Sequence, residues 1–183
     1  MLRVSTSADR SALTTPSYIV LGLVGLLDGA TPYDMKATAE PALNNFWAVR
    51  HAQYYSEPDR LVELGFLTME QETGGRRRKT YRLTADGRDA FRAWLGSPAE
   101  SVMEFRDEAL LKIWFGADPA IMAPGERQRH SASVESIEAG LATYGPLLSE
   151  GQRRVMQIGL SLQRAWVAEW QAVLDDAGDD PPD

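Results

Sequence analysis

The chain contains no cysteine and only two histidines, His51 and His130, among 183 residues. Disulfides, thiolate metal sites, a cysteine nucleophile and a histidine-rich metal centre are thereby excluded. Long apolar runs are missing as well. The strongest, Tyr18 to Leu27, is about half of what a bilayer span requires, and no small-residue cleavage site follows it before Asp28. A cytoplasmic protein without membrane association is therefore expected. Catalytic signatures are equally absent: no Gly-x-Ser-x-Gly elbow, no phosphate-binding loop, no His-Glu-x-x-His pair. The acidic pairs near the C-terminus lack the alternation, glycine and distal glutamate of a calcium loop. An enzyme is not expected, and neither a metal nor a cofactor is implied.

The net charge of −7 at first argues against a polyanionic partner, but its distribution matters more than its sum. Arg10 to Leu95 holds eleven Lys and Arg against ten Asp and Glu; Gly96 to Asp183 holds seven against fifteen. The acidic excess lies in the second half, while the arginines of the first half are clustered. Screening at physiological salt confines each charge to about 8 Å, so a local basic patch on an acidic protein can still meet phosphate.

What is present is helical periodicity broken once by a pair of strands. Thr15-Pro16 opens a first helix, with Thr15 as hydroxyl N-cap, and the run to Leu27 is apolar nearly all round. Thr31-Pro32 opens a second, with Asp34 placed to complement its N-terminal dipole, expected to end near Ala39, before Pro41. Asn44, Asn45, Phe46 and Trp47 bridge to a third, from about His51 to Leu64, in which Pro58 predicts a kink or a broken first half. Phe66 to Glu72 reads as a strand, and Thr73-Gly74-Gly75 as a turn supplying positive backbone angles. In the return strand Tyr81 and Leu83 face one way and Thr80, Arg82 and Thr84 the other. Thr84 caps a further helix that ends at Gly96-Ser97-Pro98.

The second half reads as three helices, Asp107 to Phe115, one after Pro124, and one over about Gln152 to Leu174. The last carries Val155, Ile158, Leu162, Trp166 and Trp170, with Met156, Leu160 and Val167 alongside. Three helices in fewer than ninety residues cannot bury so wide a stripe, which predicts a homodimer interface on Val155, Ile158, Leu162, Trp166 and Trp170. The expected domains are a loose N-terminus (1–11), a DNA-binding domain (12–96), a helical dimerisation domain (97–174) and an acidic disordered tail (175–183). The fold class is mainly α (α+β).

Asn44 to Gly87 carries the functional signal. A helix feeding a basic two-stranded ribbon is how a winged helix-turn-helix grips DNA, the helix in the major groove and the ribbon on the backbone. Four consecutive cations at a glycine turn, Arg76, Arg77, Arg78 and Lys79, repel one another unless they meet an anion. On the third helix the polar residues are Arg50, His51, Gln53, Tyr54, Ser56 and Asp59. Arginine and glutamine make bidentate contacts to guanine and adenine edges, whereas His51 suits a phosphate or a helix cap. The spacing of Tyr55 from Leu61 and Leu64 predicts a ring at least half buried, with its hydroxyl as the alternative phosphate contact. The tryptophans fit core and dimer packing, and leave room for a small hydrophobic effector. A winged-helix module that binds protein instead of DNA is the alternative from another class.

These pieces together resemble a PadR-type transcriptional regulator, over about Leu13 to Leu174. The matching segments are Tyr-Ile-Val-Leu-Gly-Leu-Val (18–24), Phe-Trp-Ala-Val-Arg-His-Ala-Gln-Tyr-Tyr (46–55), Leu-Val-Glu-Leu-Gly-Phe-Leu (61–67) and Tyr-Arg-Leu-Thr-Ala-Asp-Gly (81–87). In the second half, Phe-Arg-Asp-Glu-Ala-Leu-Leu-Lys-Ile-Trp-Phe-Gly (105–116) is similar to a motif that family often carries. The resemblance implies a homodimeric repressor whose C-terminal helices cross-pack and which binds a palindromic operator in double-stranded DNA. It places the aromatic of the recognition helix on Tyr55 and the wing on Arg76 to Lys79. The chain departs from the family pattern at Pro58, where leucine is usual, and at Pro32, where glycine is usual.

Overall fold

The computed structural model describes residues 9–43, 46–74, 77–100 and 104–178, and the chain divides between Ser101 and Val102 into two compact units. The first unit begins with a short 3-10 turn, Arg10–Ala12, capped by Asp9, whose Oδ1 accepts from Ser11 N–H at 2.9 Å. Arg60 holds this turn through the Ala12 carbonyl. Residues 9–11, expected to be loose, are thus ordered; residues 1–8 lie outside the described residues.

Helix α1 (Thr15–Leu26) starts one residue earlier than expected, because Thr14 rather than Thr15 is the N-cap. Thr14 N–H donates to Ser17 Oγ at 2.9 Å, a reciprocal cap that Thr15 is not placed to make. Asp28 (φ 49°) and Gly29 (φ 116°) then turn the chain, and the Arg82 guanidinium donates to the Asp28 carbonyl at 2.6 Å. Helix α2 (Pro32–Leu43) runs past Pro41, where an end before that proline was expected. The proline costs one backbone bond near the C-terminus, and the packing of Ala39 and Leu43 on the core outweighs it.

Helix α3 (Gln53–Glu63) is continuous through Pro58, so the predicted break does not occur. An interior proline costs about 3 kcal/mol, but here its ring is fully buried and fills the core between Tyr54 and Leu61. Strands β1 (Leu67–Gln71) and β2 (Lys79–Leu83) pair antiparallel, with Leu67 opposite Leu83 and Gln71 opposite Lys79. Ala30 adds an isolated bridge to Tyr81, exchanging both backbone bonds with it at 3.1 and 2.9 Å. Helix α4 (Ala85–Leu95) is capped by Thr84, whose Oγ1 accepts from Gly87 N–H at 3.0 Å and donates to the Gly65 carbonyl at 2.8 Å. One core joins Val20, Leu21 and Val24 of α1, Met35 and Ala39 of α2, Tyr54 and Leu61 of α3, Phe66, Leu67, Tyr81 and Ala90. At about 1.5–3 kcal/mol for each large apolar side chain, this core fixes α3 and the ribbon to one scaffold.

The second unit holds α5 (Glu108–Trp114), α6 (Pro119–Tyr144) and α7 (Glu150–Gly178). Helix α6 begins at Pro119, not after Pro124: Asp118 caps it, accepting from Ala120 N–H at 2.9 Å, and Pro119 takes the first position, where a missing N–H costs nothing. Helices α6 and α7 form an antiparallel hairpin, with His130 Nδ1 2.6 Å from Gln163 Oε1. Helix α7 continues through Asp175 and Asp176, residues expected in the tail; Gln171 Nε2 donates to Asp175 Oδ1 at 2.8 Å one turn on. Residues 179–183 lie outside the described residues.

The five aromatic and aliphatic residues expected at the dimer interface divide in two. Trp170 is only 3% exposed, in the unit's own core with Ala109 and Ala123, and Trp166 is half-buried, stacked on Phe105 at 5.2 Å and on His130 at 5.6 Å. Val155, Ile158 and Leu162 face outward on α7. The stripe spirals by one register along α7, so its C-terminal part covers α5 and α6 while its N-terminal part is uncovered.

Candidate nucleic-acid interface

The polar end of α3 is built by a turn that precedes it. Gln53, Tyr54 and Tyr55 N–H groups donate to the carbonyls of Arg50, His51 and Ala52 at 2.9, 3.3 and 3.1 Å, so Arg50 and His51 lie on the turn and not in the helix. Both are exposed. Gln53 is partly buried and its Oε1 accepts from Arg50 N–H at 3.2 Å, which leaves the amide NH2 as its remaining donor. Ser56 Oγ is turned back onto the Ala52 carbonyl at 3.1 Å.

The two tyrosines exchange their expected places. Tyr54 is 2% exposed and belongs to the core; Tyr55 is 47% exposed, its ring centroid 5.2 Å from that of His51. The buried stripe of α3 is Tyr54, Pro58 and Leu61, at spacings of four and three, and one residue's rotation about the helix carries Tyr55 to the open face. Burial, with the Glu40 charge adding to it, pushes the Tyr54 hydroxyl above the ordinary tyrosine range. Burial therefore removes Tyr54 from the residues expected to face DNA, and Tyr55 is the exposed member of the pair.

Of the wing cations, Arg76 lies outside the described residues. Arg77 and Arg78 are exposed. Arg77, not Gly74, carries the positive φ (49°) in the described part of the turn, held by Gln71 Nε2 on its carbonyl at 3.2 Å. Lys79 stands apart. Its Nζ lies 2.7 and 2.9 Å from the two carboxylate oxygens of Asp59 on α3, and the Tyr81 hydroxyl donates to Asp59 Oδ1 at 2.7 Å. These bonds hold the Asp59 carboxyl below its ordinary range, the Lys79 bond foremost; burial, then the Asp59 bond, raises the Tyr81 hydroxyl. Asp59 was legible only as one polar residue among several, because its partners are twenty and twenty-two positions away.

Most other cations of this unit are engaged by protein. Arg60 meets Glu57, Lys36 meets Glu40 and Arg92 meets Asp89, while Arg82 and Arg88 bond the carbonyls of Asp28 and Leu83. Among the described residues of α3's approach and the wing, Arg50, Arg77 and Arg78 engage no side-chain partner. The Tyr-Arg-Leu-Thr-Ala-Asp-Gly segment serves packing instead: Thr84 caps α4, and Gly87 lets that helix approach Phe66.

A two-stranded wing beside a helix with an exposed polar end, on a core of three further helices, is a winged helix-turn-helix. The sequence profile of the transcriptional regulator PadR-like family matches residues 20–93. That match spans the first unit's winged helix from α1 to α4. Over 102 residues the chain is 32% identical to the negative transcriptional regulator PadR of Bacillus subtilis, a match that covers 54% of each protein and so spans about half the length of that relative. Its fold is similar to a PadR-like transcriptional regulator from Bacillus cereus (TM-score 0.77, 20% identity, 88% of this chain and 97% of that one). It is likewise similar to Bacillus subtilis PadR solved in complex with operator DNA (TM-score 0.75, 22% identity, 88% and 98%). At those identities the two structures speak for the fold of both units. No helix among the described residues is long and apolar enough to cross a membrane.

Proposed function

We propose that this PadR-like protein is a cytoplasmic, homodimeric repressor that binds a palindromic operator. The N-terminal end of α3, with Arg50, His51, Gln53 and Tyr55, enters the major groove, and Arg77 and Arg78 of the wing meet the phosphates. The observation that carries this reading is that, among the described residues, these three arginines make no side-chain hydrogen bond or ion pair, on two elements that Asp59 and Lys79 tie together. Bidentate arginine contacts read guanine, and the Gln53 amide suits adenine. The second unit supplies the dimer contact through the uncovered apolar face of α7. The relative named a negative regulator and the fold solved on operator DNA support the DNA-binding part.

The test is selection of bound sites from random DNA, followed by fluorescence anisotropy on the selected site and on a scrambled one across a salt series. The expected result is preference for a two-fold-symmetric site and an affinity that falls log-linearly with salt. Equal, salt-independent or absent binding overturns the reading in favour of a protein-interaction module.

A further inference from the structure

Four consecutive cations invite the view that all four meet phosphate, yet the last is held otherwise. Lys79 sits at the base of the wing, opposite Gln71, where the ribbon leaves its turn. Both oxygens of Asp59 receive its ammonium, and one also receives the Tyr81 hydroxyl. Tyr81 is itself immobilised: its ring is 1% exposed and its backbone exchanges two bonds with Ala30. Asp59 therefore grips one residue anchored in the core and one at the wing's base. Strand alternation puts Lys79 and Tyr81 on the face toward α3, and Glu72 N–H on the Arg78 carbonyl at 3.0 Å extends the ladder one residue further. Arg78 consequently leaves the ribbon on the face opposite Lys79.

On α3, Asp59 lies one turn beyond Tyr55, with its side chain 46% exposed. Unpaired there, its carboxylate would stand on the same helix flank as the residues offered to DNA and would repel the backbone. Lys79 neutralises it.

We propose that Asp59 is the positioning residue of the interface: it clamps the wing to α3 through Lys79 and Tyr81, and Lys79 is a strut within the protein and not a phosphate ligand. This rests on the reading that α3 and the wing meet DNA together. The clamp fixes the offset between helix and ribbon before binding, so the wing arginines need not be ordered at the moment of association.

Two measurements test this. The chain has no cysteine, so nitroxide labels at Thr73→Cys and His51→Cys report the wing-to-helix distance in the free protein, diluted with unlabelled chains. A narrow distribution should broaden in Asp59→Asn and narrow again in the swapped pair Asp59→Lys with Lys79→Asp. An unchanged distribution in Asp59→Asn overturns the clamp. For the strut, the neutral double variant Asp59→Asn with Lys79→Met should keep the wild-type slope of log affinity against log salt on the selected operator, with folding verified by circular dichroism. A slope shallower by about 1.8, the loss of one phosphate contact in each half-site, overturns it. If the wild type binds no DNA in a salt-dependent way, the function proposed above fails, and the label distances still decide the clamp.

Discussion

Gly87 packs so closely on Phe66 that a methyl group there would lie 2.1 Å from the Phe66 carbonyl oxygen. That oxygen is backbone and cannot swing aside, since it also accepts from Thr84 N–H at 3.1 Å. Gly87→Ala should therefore force α4 off the ribbon and cost about 3 kcal/mol, the upper part of the overpacking range. Gly22→Ala is the control: its methyl meets only the rim of the Phe91 ring at 3.0 Å and gains helix propensity, so it should stay within about 1 kcal/mol of wild type. Urea midpoints of the two variants make the comparison, and equal losses would show that the Phe66 contact is not limiting.

The exchange of Tyr54 and Tyr55 separates fold from recognition. Tyr54→Ala removes a fully buried ring and should cost about 3–5 kcal/mol. Tyr54→Phe should be neutral or slightly stabilising, because the buried hydroxyl has no hydrogen-bond partner among the described residues. Tyr54→Phe should keep the wild-type operator preference. Tyr55→Ala should leave stability within about 0.5 kcal/mol, as an exposed site does, and weaken operator binding. A Tyr55→Ala variant that binds as wild type would remove that ring from the interface.

Both ends of the pH scale act on the Asp59 clamp. The Asp59 carboxyl is depressed in the fold, so its contribution is present above the unfolded value of about 3.9 and is lost as pH falls through the folded value. The Tyr81 hydroxyl is raised, so its contribution is full below about 10 and is lost as pH rises through the folded value. Wild type should lose thermal stability below about pH 4 more steeply than Asp59→Asn. In alkali, Tyr81 should ionise above the ordinary tyrosine range, read as a late phase in ultraviolet absorbance that Tyr81→Phe diminishes. A single tyrosine transition would refute the Tyr81 assignment.

Caps and periodicity made most of the element order legible: Thr84 before Gly87 is a local signal that works wherever the helix packs, whereas the Asp118-Pro119 start of α6 went unread in favour of Pro124. Prolines misled. Pro41, Pro58 and Pro124 each lie inside a helix, because the loss of one backbone bond is outweighed by tertiary packing, as at Pro58 in the core of α3. The exposed face of α3 was legible to within one residue's rotation, which is about 100° and decides between Tyr54 and Tyr55. The fate of Lys79 was not legible at all, since a charge pair across twenty residues leaves no trace in local pattern.

The α7 register changes how dimerisation must be tested. Removing the chain from Gln152 onward would delete Trp170, the centre of the second unit's own core, so loss of operator binding could reflect unfolding. Point changes on the uncovered face avoid this. Ile158 and Leu162 are each about half exposed and one turn apart, and each would leave the protein's own packing largely intact when altered. Ile158→Asp with Leu162→Asp places two carboxylates where two copies would meet, where like charges and unpaired burial both oppose association. The expected outcome is a shift from dimer to monomer in sedimentation at micromolar concentration, with helical content unchanged. Affinity for a full operator should fall toward that of a half-site, since avidity is lost while every proposed DNA contact remains. Trp170→Ala should do the reverse, lowering the melting temperature of the second unit before it changes the oligomeric state. A double aspartate variant that still sediments as a dimer would move the interface off this face of α7.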